Sequence, residues 1–197
     1  MGCVDIEVGS EADCNNLPAG GTVATIIAIN FNDIQSYTVV DGRITAIVLK
    51  SGKVAYLFSG FRNDVKDSEE VINPGIGLNQ FKHLAGFTLY SRTQVQKNNI
   101  EKLSRGKFVF IVQLRGKDSD AYIVLGIKNG MAKVPEAIRN AHENGGYFLL
   151  NFATDTEDGE YEPKLPQSLG TDYGDAAMII NNLLPIPPIL ITLEINP

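Results

Sequence analysis

The stretch from Thr22 to Phe61 constrains the fold more than any other. TVATIIAINF is followed by SYTVV, Asp41-Gly42, RITAIVLK, Ser51-Gly52 and KVAYLFSGF. Runs rich in Val, Ile and Thr favour extended backbone, because branching at Cβ restricts χ1 and packs well on a pleated surface. Asp-Gly and Ser-Gly between such runs are hairpin signals. The first run has the length and continuous apolar character of a buried strand. The next three predict a three-stranded meander, with Gly52 at a positive-φ turn position. In the middle run Ile44, Ala46 and Val48 alternate with Thr45, Ile47 and Leu49. Both faces are therefore expected to be packed, by a second sheet, a helix or a neighbouring subunit.

The same pattern continues downstream. FKHLAGFTLYS and GYFLLNFAT read as strands, and KFVFIVQL with DAYIVLGI reads as a hairpin turning at 116–120. Three helices are expected: TQVQKNNIEKLSRG capped by Thr93 and ended by Gly106, VPEAIRNAHENGG, and DYGDAAMIINNLL capped by Thr171 or Asp172. RNDVKDSEEVINPGIGLNQ reads as a long polar insertion, a contact loop or a surface loop. Strands follow strands more often than they alternate with helices. The fold class is thus α+β, mainly antiparallel β: a β-sandwich or barrel-like sheet with two or three short helices. The organisation is an extended N-terminal arm over 1–21, one β-rich domain over 22–184, and a proline spacer with a C-terminal strand over 185–197.

That last segment, PIPPILITLEINP, is unusual for a chain terminus. Ile189, Ile191, Leu193 and Ile195 share one face of an alternating strand, and Leu190, Thr192 and Glu194 share the other. Pro185, Pro187 and Pro188 form a stiff extended spacer. An unpaired strand of this composition aggregates, so it needs a partner. It either returns to the edge of its own sheet or crosses to a neighbouring copy. The second alternative makes Ile186, Ile189, Leu190, Ile191, Leu193 and Ile195 a subunit interface.

Motifs for chemistry are not found. No phosphate-binding GxxxxGK[ST] or GxGxxG, and no GxSxG nucleophile elbow, occurs. Cys3, Cys14, His83 and His142 lack the paired spacing of a zinc site, so both histidines read as structural or surface residues. Asp155, Glu157, Asp158, Glu160 and Glu162 suggest a calcium loop, but an EF-hand frame on Gly159 puts Thr154 and Leu165 at the first and last ligand positions. The preferred reading of that run is a solvated loop. Paired carboxylates for glycoside hydrolysis find no Trp to serve as a sugar platform. No catalytic, cofactor or metal residues are therefore assigned, and an enzyme is not expected.

Seventeen basic against 23 acidic side chains give a net charge of −6, which argues against a surface that grips nucleic-acid backbone. The two cysteines, without a secretory signal, are expected reduced, and no apolar run reaches the ~18 residues of a membrane span. The chain is expected to be cytoplasmic at synthesis.

The order LPAGGT, IAIN, TAIVLKSGKVAYLFSGFR, YIVLGIKNGM and GGYFLLNFAT, then GEYEPKLPQSLGTDY, resembles small virion proteins encoded among the structural genes of tailed phages of Bacteroidetes, including crAss-like phages. AYLFSGFR and EPKLPQSL are its most particular pieces; PIPPILITLEINP has no counterpart in it. The resemblance spans about residues 14–184. It implies a tail, tail-tube or neck-ring subunit, assembled in the bacterial host cytoplasm and resident in the virion. Its partners would be copies of itself in a ring or tube and neighbouring tail, neck or capsid proteins. DNA would pass without specific binding, and no membrane would be involved. The alternatives are a capsid-associated or decoration protein, or a monomeric ligand-binding module.

Overall fold

A computed structural model describes residues 22–59, 65–72, 80–90, 93–134, 147–154 and 161–185. The strands are β1 (Thr22–Asn30), β2 (Ile34–Val40), β3 (Arg43–Leu49), β4 (Tyr56–Ser59), β5 (Val65–Ile72) and β6 (Gln80–Tyr90). After helix α1 (Gln94–Arg105) come β7 (Lys107–Leu114), β8 (Tyr122–Leu125), β9 (Met131–Lys133), β10 (Tyr147–Ala153), β11 (Gln167–Ser168) and helix α2 (Tyr173–Leu183). The arms 1–21 and 186–197, and the helix expected over 134–146, fall on residues outside this set, apart from Val134.

Nine strands form one antiparallel sheet in the order β11-β8-β7-β9-β10-β6-β5, with β1 on the other edge of β7 and β4 beyond β1. β2 and β3 make a separate two-stranded sheet. The large sheet curls until β5 approaches the start of β1, where the Thr22 hydroxyl donates to the Val65 carbonyl. No ladder joins these two strands, so the sheet is not closed.

The central residues of β1 and β7, Ile26 to Ile29 and Phe108 to Val112, are apolar on both faces because each strand is covered on both. Toward the concave side, Ile26, Ala28, Phe108, Phe110 and Val112 join Phe87, Leu150 and Phe152, with Ile100 and Leu103 of α1 as a lid. Phe87 stacks on Phe152 at 5.5 Å, and Phe110 lies 4.8 Å from the same ring. Toward the convex side, Ile27, Ile29, Val109 and Ile111 meet Ile44 and Ile47 of the small hairpin and Ala176, Ile180 and Leu183 of α2. α1 begins on a full capping box, Thr93 Oγ1 accepting from Gln96 N while Gln96 answers to Thr93 N. Asp172 caps α2 by accepting from Asp175 N at 2.9 Å.

Three expectations are corrected. The β2–β3 hairpin turns at Asp41-Gly42, yet β4 pairs with β1 instead of β3. The Ser51-Gly52 turn is present, with Gly52 at φ 74° and Lys53 N donating to Lys50 O. Beyond it Ala55 N donates to Leu183 O, and Leu169 and Gly170 occupy the β3 edge that a third strand would need. Second, β3 is packed on one face within the chain. A register shift around Thr45 turns Ile44 and Ile47 to the same side, and Val48 stays 47 % exposed. Third, the polar insertion contains β5, paired with β6 along its whole length from Val65↔Phe87 to Ile72↔Gln80.

Candidate functional site

β8 and β9 share one edge of β7, so the loop between them, Gly126 to Gly130, is pushed out of the sheet. Its backbone donors need acceptors. Glu162 supplies them: its carboxylate accepts from Lys128 N and, at 2.8 Å, from Asn129 N, and Asn129 Nδ2 donates to Tyr161 O. Glu162 is 2 % exposed, and a two-way backbone bridge with Phe81 anchors it. Burial raises its pKa, while the Asn129 and Lys128 amides and the Lys128 charge act the other way. The expectation of a solvated acidic loop therefore fails at Glu162. Its other members, Asp155, Glu157, Asp158 and Glu160, lie outside the described residues.

His83, on β6, is the second stitch. Gly126 N–H donates to its Nδ1 at 3.1 Å, and its Nε2 lies 2.8 Å from the Lys164 carbonyl. A carbonyl only accepts, so Nε2 carries the proton and the ring is neutral. Burial lowers its pKa to about 4, against the opposing hydrogen bond to Lys164. The structural reading of His83 from the sequence holds. Cys3, Cys14 and His142 lie outside the described residues, among which no cluster of metal-ligating side chains forms. Nor, among them, is any helix long and apolar enough to cross a membrane.

Residues 161–170 thus run as a strap over the molecule. From Phe81 the strap crosses the 126–130 loop, pairs with β8 as β11, and reaches the small hairpin. There Gly170 N donates to Ile44 O, Gln167 Nε2 to Gly42 O, and Arg43 Nε to Gly170 O. Ser168 and Arg43 also grip Asp120, whose carboxyl they hold below its ordinary range. The strap contains EPKLPQSL.

Between the strap, the loop and β2 lies a groove. One hollow of about 130 Å³ is lined by Tyr37, Val39, His83, Ile127, Lys164 and Leu165, among others. A wider one of about 480 Å³ is bounded by Phe31, Ile34, Ser36, Tyr37, Lys50 and Ile127. Tyr37, Ile127 and Lys128 line both, so the two adjoin. One wall is β2, which pairs with β3 on one side and with no described strand on the other. Ser36, Thr38, Val39 and Val40 are exposed along it.

The interface residues expected from the sequence, Ile186, Ile189, Leu190, Ile191, Leu193 and Ile195, all lie outside the described residues. The sequence signal that could have pointed to the β2 edge is that IQSYTVV carries no charge and no proline. The strap and its buried glutamate left no such sign. In comparisons with known proteins the chain matches no family model, no curated protein and no solved structure.

Proposed function

We propose that this chain is a structural, non-enzymatic subunit of a tailed phage particle, forming rings or a tube in the tail or neck through which DNA passes. The reading starts from the resemblance carried by AYLFSGFR and EPKLPQSL. The observation that carries it is the uncharged edge of β2 that no described strand covers, since a sheet edge without charge or proline invites another strand. Neighbouring copies would extend the open sheets into a barrel-like or sandwiched wall around the lumen. A net charge of −6 suits such a wall, because a basic lumen would hold the phosphates.

Assembly is the whole mechanism on this reading, and the C-terminal segment drives it. Burying four aliphatic side chains of ILITLEI contributes roughly 6–10 kcal/mol gross, less the cost of ordering the arm. The test compares the full chain with one lacking residues 186–197, by sedimentation velocity and circular dichroism. The full chain should sediment as rings or polymers, and the shortened chain as a folded monomer. Loss of the folded spectrum on truncation would place the segment in its own sheet. A truncated chain that still assembles would deny the arm any role.

A further inference from the structure

We propose that the groove along β2 is the acceptor for residues 189–195 of a second copy, which add to the β2 edge as one more strand. The inference rests on the ring-subunit reading and names the contact that builds it.

Edge protection is uneven in this fold. β5 carries Lys66, Asp67, Glu69 and Glu70, which guard its outer edge, and β4 is only four residues long. β2 has seven residues without a charge, and its register against β3 shifts between Ile34 and Ser36 and again, opposite Thr45, between Thr38 and Val39. ILITLEI is also seven residues long and strongly β-forming. Main-chain ladder bonds would supply affinity, and the two hollows would take alternate side chains. Their apolar lining, including Ile34, Val39, Ile127 and Leu165, suits Ile and Leu. Charge also matches. The groove's lysines are Lys50, Lys128 and Lys164, and Glu194 is the one charged side chain between Leu184 and Pro197. The carboxylate of Glu162 is occupied by backbone amides and does not reverse this complement.

The donor is assigned to a neighbour on the stiffness of the spacer. Leu183 O is fixed to Ala55 N, so the chain leaves α2 beside the start of β4. Pro185, Pro187 and Pro188 favour an extended path of ~3.1 Å per residue, and a stiff spacer that reaches a neighbour loses less entropy on docking.

Disulfide trapping tests this in a full-length chain with Cys3→Ser and Cys14→Ser. One preparation carries Ser36→Cys, Thr38→Cys or Val40→Cys, and a second, tagged to differ in mass, carries Thr192→Cys. The two are mixed, allowed to assemble and oxidised. Strand neighbours have Cα separations within disulfide reach, so a mixed disulfide between the two chains should form at one or more of the three positions. Val95→Cys, on the exposed face of α1, serves as the control and should not crosslink. Multimers in sedimentation without any mixed disulfide above the control would overturn the groove assignment and leave the ring reading standing. A chain carrying both Thr38→Cys and Thr192→Cys that closes only on itself would overturn the donor assignment. Absence of multimers would overturn the inference together with the reading beneath it.

Discussion

Acid should loosen the strap through His83, and the size of the effect follows from the ring's surroundings. The imidazole is 1 % exposed, donates from Nε2 to Lys164 O and accepts at Nδ1 from Gly126 N–H. A second proton on Nδ1 would face that N–H, donor against donor, in a buried site. Hence the folded pKa is near 4, against ~6.5 in the unfolded chain. The folded state then binds fewer protons, so stability is full above the unfolded value and falls as pH drops from about 6.5 toward 4. At 1.36 kcal/mol per pH unit the loss approaches ~3 kcal/mol. Glu162, Asp67 and Glu69, the last opposite His83 on β5, work in the other direction: burial raises each, so acidification relieves them. A difference measurement removes their contribution. Urea unfolding followed by far-UV circular dichroism at pH 7, 6, 5 and 4 should be run on the native chain and on His83→Gln. The variant should be less stable at pH 7 by ~1–3 kcal/mol, through an imperfectly satisfied buried site. The gap should shrink steadily as pH falls. A gap that stays constant from pH 7 to 4 would refute the assignment of the acid response to His83.

Two further predictions concern the scaffold, both read by urea unfolding. Gly52 and Gly170 share φ near 74°, but a Cβ on Gly52 meets open space, whereas one on Gly170 comes within 2.6 Å of Ala176 N in α2. Gly52→Ala should therefore cost ~1 kcal/mol and Gly170→Ala ~3 kcal/mol or more; equal losses would mean that α2 does not sit against the strap. Phe152→Ala removes a ring packed against Phe87, Phe108 and Phe110 and should cost ~3–5 kcal/mol. A cost under ~1 kcal/mol would contradict a single aromatic core on the concave side.

The sequence carried local information well and long-range information poorly. Thr93, Asp172, Asp41-Gly42 and the 116–120 turn are set by neighbours within a few residues, and each stands where its residue types place it. The continuous apolar run of β1 also announced a buried strand. The pairing of β4 could not be read this way. KVAYLF alternates equally well beside β3 or beside β1, and the choice is made by Leu169 and Gly170, more than a hundred residues away, taking the β3 edge. β5 was masked by its own charges, which are those of a guarded edge and look like those of a loop. At the groove, the lack of charge in β2 stands in the sequence, but which of its edges would stay without a described partner does not. Glu162 was not visible: nothing in an acidic run distinguishes the one carboxylate that turns inward to hold two backbone amides.

Donor and acceptor in the proposed contact are different surfaces, and that difference decides what can be built. If β2 paired with β2, the interface would be self-complementary and assembly would stop at a two-fold dimer. A tail strand entering a neighbour's β2 groove leaves one donor and one acceptor open, one at each end of the series. Such head-to-tail contacts close into a ring when the rotation per step allows it, and otherwise run on as a filament. The stiffness of the spacer matters here, because a flexible tether would permit many rotations and many ring sizes. Pro187 and Pro188 narrow that range, so the native mass of the assembly should cluster at one copy number. Replacing both with Gly should broaden the mass distribution while keeping the β2–tail disulfide. A population confined to dimers, in either chain, would show that the contact is self-complementary and that β2 is not a one-way acceptor.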